Sequence, residues 1–96
     1  MVEGVTDNPA AQRFELAVEG QVAFVTYERK NDRIVFLHTE VPPAFRGQGV
    51  GENLVRGALD AARREGLRVV PVCPFVKAYL RKHPDAGDVQ GSSVGS

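Results

Sequence analysis

Phe14, Leu16 and Val18 alternate with Arg13, Glu15 and Ala17, and this two-residue period predicts a half-buried strand from Arg13 to Val18. Gly20-Gln21 follows as a tight turn, and Val22-Ala23-Phe24-Val25-Thr26-Tyr27 is dense in β-forming side chains. Asn31-Asp32, set between charged neighbours, signals a second hairpin. A third strand is expected from about Arg33 to Val41. It is apolar at every position from Ile34 to Leu37, the pattern of a central strand covered on both faces.

The period then changes. From about Gly49 to Glu65 the apolar positions are Val50, Leu54, Val55, Ala58, Leu59, Ala61 and Ala62, with Glu52, Arg56, Asp60, Arg63 and Arg64 opposite. That is an amphipathic helix, and Glu52 with Arg56 and Asp60 with Arg64 stand four apart in the favourable order. Gly66 suits its left-handed cap. Leu67 to Cys73 reads as a further strand, in which Pro71 cannot donate to a ladder and must sit unpaired or at an irregularity. Pro74 opens a short helix with Phe75, Val76, Tyr79 and Leu80 on one face, and His83-Pro84 ends it. The order of elements predicts an α/β chain with a mixed α+β sheet: an antiparallel three-stranded meander, a helix, a parallel strand and a closing helix.

The small polar residues of 1–11 read as a flexible lead-in, 12–85 as a single domain, and the Gly/Ser-rich stretch 86–96 as a disordered tail. Ninety-six residues suffice for one core and no more. Twelve basic residues balance twelve acidic ones, so no overall field draws in nucleic acid or anionic lipid. No apolar run approaches the ~20 residues that cross a bilayer, and the start does not read as a signal peptide. The single cysteine excludes an internal disulfide and fits a reducing compartment. A cytoplasmic enzyme or binding module is the expected class, as a monomer or weak homodimer.

The chemistry concentrates in Arg46-Gly47-Gln48-Gly49-Val50-Gly51, between the third strand and the long helix. The first N–H groups of a helix lack internal partners, and its macrodipole leaves partial positive charge there. Glycine admits positive φ and close backbone approach. Arg46 adds a fork for an oxyanion. Together they are a design for holding pyrophosphate. The glycine spacing is not that of a dinucleotide fingerprint, and no Lys-Ser/Thr pair follows, so a P-loop is excluded. Two histidines and one cysteine without close ligand spacing argue against a metal.

This turn, in this order of elements, resembles the acyl-coenzyme A-binding half of the GNAT superfamily of N-acetyltransferases. Its Gln/Arg-x-x-Gly-x-Gly/Ala motif is matched by Arg46, Gly49 and Gly51. The chain is similar, more closely still, to the small single-domain GNAT-like group. That group carries His-Thr-Glu-Val before the turn and Cys-Pro-Phe-Val after the next strand, here His38-Thr39-Glu40-Val41 and Cys73-Pro74-Phe75-Val76, followed by Tyr79 and His83-Pro84. The resemblance implies acetyl-coenzyme A as cosubstrate, lying between the third and fourth strands. Its pantetheine arm would bond the backbone at Glu40 and Val41. Its pyrophosphate would lie on Arg46, Gly47, Gln48, Gly49, Val50 and Gly51. Larger GNAT enzymes build much of the acceptor site from an additional strand and two helices before the meander, so the acceptor side here is expected to be open, or completed by a second subunit or a bound protein.

Amine acetylation needs a path for the amine proton and donors for the thioester oxyanion. Glu40 is a candidate base, or simply a solvated carboxylate at a strand end. His38 shares a strand face with Glu40 and has the intrinsic pKa of a proton shuttle. Cys73, before a helix N-terminus, is a candidate nucleophile that relays the acetyl group, or a small buried hydrophobe. Tyr79 matches the position of a thiolate-protonating tyrosine in many GNAT enzymes, and its spacing from Phe75 equally suits the core. The acceptor, a small-molecule amine or a protein lysine, is not legible. A non-catalytic acyl-coenzyme A-binding or sensing module, acting with a partner protein, stands as the alternative to an N-acetyltransferase.

Overall fold

A computed structural model describes residues 4–84. The elements are β1 (Thr6–Asn8), β2 (Arg13–Val18), β3 (Gln21–Lys30), β4 (Arg33–Glu40), a single 3-10 turn (Pro43–Phe45), α1 (Val50–Arg64), β5 (Arg68–Pro71) and α2 (Pro74–Lys82). The five strands form one sheet in chain order. β1 to β4 run antiparallel and β5 is parallel to β4, with α1 as the crossover. The expected mixed sheet is therefore present with one strand more. β1 lies inside the segment expected to be a loose lead-in. Thr-Asp-Asn carries no alternation and few β-formers, and its edge pairing to Phe14 and Glu15 holds it in place. The expected tail begins beyond the described residues.

The β2–β3 and β3–β4 hairpins each turn on two residues. Glu19-Gly20 and Asn31-Asp32 occupy them, and Glu19, Gly20 and Asn31 have φ of 50°, 81° and 52°. Positive φ is what the twist of a two-residue hairpin demands.

The core sits between one face of the sheet and the two helices. Phe14, Leu16, Ala23, Val25, Ile34 and Phe36 supply the sheet side, while α1 adds Leu54, Val55, Ala58, Leu59 and Ala62, and α2 adds Val76 and Tyr79. Among the described residues both helices cover this face, and the reverse face has no such layer. The expectation that β4 is covered on both sides is therefore corrected. Leu37 is 43% exposed and Val72 is 51% exposed. The expected pairs along α1 also rearrange: Glu52 meets Lys82 of α2 at 3.4 Å, and Asp60 meets Arg63 at 3.5 Å.

Gly57 was given no role by the apolar pattern, yet it fixes how α1 lies. A Cβ built there would collide with Val5, just before β1. The absent side chain lets the chain entering β1 pass over the helix.

Candidate functional site

The site begins where β4 and β5 part. Their parallel pairing runs from Arg33–Arg68 to Phe36–Pro71 and ends there. Pro71 has no N–H to continue it, as the sequence required. The next two amides, of Val72 and Cys73, both donate to the Phe36 carbonyl, at 3.0 and 2.9 Å. β4 continues to Glu40, still paired to β3 but without β5 alongside. The result is a slot, open along one edge of β4.

A second irregularity sets what faces the slot. Tyr27 pairs with Phe36 but Thr26 pairs with His38, so Leu37 is an extra residue, a β-bulge in β4. Directly opposed side chains share a face. Beyond the bulge Thr39 follows Val25 toward the helices, whereas His38 and Glu40 follow Thr26 and Phe24 to the open face. His38 and Glu40 do share a face, as expected. They lie 2.7 Å apart, Nε2 to Oε1, with both side chains more than half exposed.

At the far end of β4 the chain passes Pro42 and the 3-10 turn into the glycine segment. Gly47 and Gly49 have φ of 80° and 82°, and Gly49 is the N-cap of α1. The first bond of the helix runs from the Asn53 N–H to the Gly49 carbonyl, so the preceding amides have no partner within it. Gly51 is needed for a different reason. A Cβ there would lie 2.6 Å from Phe75 Cζ and 3.2 Å from Val41 Cγ2. Its absence brings the start of α1 against the first turn of α2 and the end of β4.

A cleft of about 600 Å³ joins these parts. Thr39 of β4 and Val41 just past its end line it, with Arg46, Gly47, Gly49 and Gly51 from the turn. Phe45, Glu52 and Phe75 complete it. Arg46 donates from Nε to the Val41 carbonyl at 3.1 Å, which holds its fork beside the turn. Gln48 and Val50, both expected at the phosphate, contribute no lining side chain. The Gln48 side chain bonds the Ala44 carbonyl, and Val50 is buried in the core. The Gln48 amide is also taken, by the Phe45 carbonyl at 3.3 Å, so of the two only Val50 offers the site a backbone N–H.

Cys73 is the N-cap of α2, as its place before Pro74 suggested. Its side chain is buried, 3% exposed, and it does not line the cleft. Its Sγ touches Thr39 Oγ1 at 3.2 Å. Tyr79 is a core residue, stacked on His83 at 4.5 Å between ring centroids, and burial pushes its phenol pKa up.

Residues 13–89 match the family model for GCN5-related N-acetyl-transferases. The chain belongs to that family. Over 63 residues this family member is 40% identical to Protein NATD1 of Gallus gallus, an alignment covering 65% of this chain and 57% of that protein. Protein NATD1 of Danio rerio is 29% identical over 76 residues, covering 76% of this chain and 69% of that one. Streptothricin acetyltransferase of Streptomyces lavendulae is 40% identical over 65 residues, which cover 62% of this chain and 34% of the other. The fold is similar to the NMR solution structure of a GCN5-like protein from Staphylococcus aureus, with a TM-score of 0.69 and 28% identity over 88% of this chain and 84% of that one. The chain spans little more than half the length of the Gallus gallus protein and about a third of the Streptomyces enzyme.

In this GCN5-related chain the sequence had marked Val41, Arg46, Gly47, Gly49 and Gly51, and the fold brings them together. It had not marked Thr39, Phe45 or Phe75 as lining. Phe75 had been placed on a core face, yet it is 39% exposed in the cleft wall. A glycine opposite it on α1 is the signal that would have found it, because a buried helical glycine usually admits a neighbouring side chain.

Proposed function

We propose that the protein is an acetyl-coenzyme A-dependent N-acetyltransferase that transfers its acetyl group directly to an amine. The observation that carries this reading is the slot: the unpaired edge of β4 runs straight to the free amides at the start of α1. Those amides and the Arg46 fork suit a pyrophosphate. The backbone at Glu40, where β4 ends, and at Val41 suits the amides of a pantetheine arm, with Phe45 and Phe75 as apolar walls. No metal is required by this chemistry.

The thioester would then lie near Thr39, and the amine would approach from the open face, where His38 and Glu40 are. A neutral amine nitrogen forms the new C–N bond as the C–S bond breaks. The departing coenzyme thiolate takes up a proton, and the His38–Glu40 pair accepts the one lost by nitrogen, directly or through water. Cys73, behind Thr39 and buried, is placed for a wall more than for attack, which favours direct transfer over a relay.

The test is purified protein with labelled acetyl-coenzyme A and a panel of amines, with intact-mass analysis of the protein itself. Labelled amide product and an unmodified protein are expected. Tight binding without turnover on any amine would leave a coenzyme-binding module instead, and acetylated Cys73 would restore the relay.

A further inference from the structure

We propose that Thr39 and Cys73 together form the end stop of the acyl slot, restricting the donor to acetyl-coenzyme A and rejecting longer acyl chains. This rests on the acetyl-coenzyme A reading given above.

Thr39 is the cleft-lining residue nearest the junction of β4 and β5, so a thioester arm entering from the glycine turn reaches it last. The bulge at Leu37 points its side chain toward the helices, across the slot rather than out of it. There its Oγ1 meets Cys73 Sγ at 3.2 Å. Carbon needs roughly 3.5–4.0 Å to each neighbour, so no methylene passes between the two.

Neither wall can give way easily. Thr39 is β-branched and stiff about χ1. Cys73 is buried in the core, its amide donates to the Phe36 carbonyl, and its own carbonyl accepts the Lys77 N–H. Behind the pair, the convergence of the Val72 and Cys73 amides on Phe36 closes the slot. A chain longer than acetyl meets the hydroxyl and methyl of Thr39, held in place from behind by the buried Cys73 thiol.

The probes are acetyl-, propionyl- and butyryl-coenzyme A, with affinity read by isothermal titration so that no acceptor is needed. Wild-type protein is expected to bind more weakly by roughly 10-fold for each added methylene. Thr39→Ala should raise butyryl relative to acetyl affinity by about 10-fold, and Cys73→Ala should act in the same direction. Thr39→Val keeps the volume and loses the hydroxyl, and should keep the wild-type preference. Circular dichroism checks that each variant is folded. Equal wild-type affinity for all three thioesters overturns the stop, because the chain then escapes onto the open face. So does an unmoved preference in folded Thr39→Ala. Wild-type protein that binds none of the three overturns the acetyl-coenzyme A reading itself, and the stop with it.

Discussion

Two glycines of the turn fail for different reasons when replaced, and that separates the ways the site is built. At Gly49, with φ of 82°, any side chain carries roughly 1–2 kcal/mol of left-handed strain. Aspartate adds negative charge where a pyrophosphate would sit. Gly49→Asp should therefore weaken coenzyme A binding by at least about 10-fold in isothermal titration, with the strain lowering Tm by roughly 4–8 °C for each kcal/mol. Gly51→Ala is instead a packing fault against Phe75 and Val41, expected to cost about 1–3 kcal/mol of stability in urea unfolding. On the opposite face, Glu40→Gln should lower the acetylation rate by roughly 100-fold with coenzyme A affinity unchanged. An unchanged rate would return Glu40 to a solvated strand end. The glycines and Arg46 were legible because a turn, a helix start and a charge each leave a mark in sequence. Which way His38, Thr39 and Glu40 face depends on one bulge, and Leu37 carries no mark of it.

The elements were legible wherever one face is apolar and the other polar. β2 and α1 follow their two-residue and 3.6-residue periods almost residue for residue. β4 misled because apolar side chains at Ile34 to Leu37 read as cover on both faces, while the second face is open and carries Leu37. β1 was missed because three polar residues hold their place by pairing alone. Gly57 was missed because its partner, Val5, lies outside every periodic segment. Alanine there gains up to ~1 kcal/mol of helix propensity, but its Cβ must displace the chain that leads into β1. Packing against a branched side chain close to the backbone should win. Gly57→Ala is expected to lower the urea midpoint, and a raised midpoint would show that Val5 moves aside freely.

At the scale of the whole molecule, Arg29 ties the first strand to the end of the long helix. It bonds Asp7 of β1 at 3.1 Å and Glu65, the C-cap of α1, at 2.6 Å. Arg29 holds the Glu65 carboxyl below its ordinary value, and Arg13 does the same for Glu15. A depressed carboxylate pKa contributes stability that is present above the unfolded value, near 4, and lost as pH falls through the lower folded value. These pairs are partly exposed, so each contributes about 1 kcal/mol or less. The urea midpoint should decline as pH falls below about 4, and Arg29→Met should flatten part of that decline. A pH profile identical to wild type would remove the tie.

Because neighbouring strands in the sheet are also neighbours along the chain, β1 to β4 form by closing short loops. Only β5 must wait for α1 to be laid across before it finds β4. Contacts that span more sequence are made later, and the β4–β5 ladder, with four residue pairs against seven for β3–β4, is the shorter one to open. The amides of Val72 and Cys73 should accordingly exchange with deuterium sooner than those of Val25 and Tyr27, and bound coenzyme should slow them most. The junction that gives this protein its slot should then be the first part of the sheet to open.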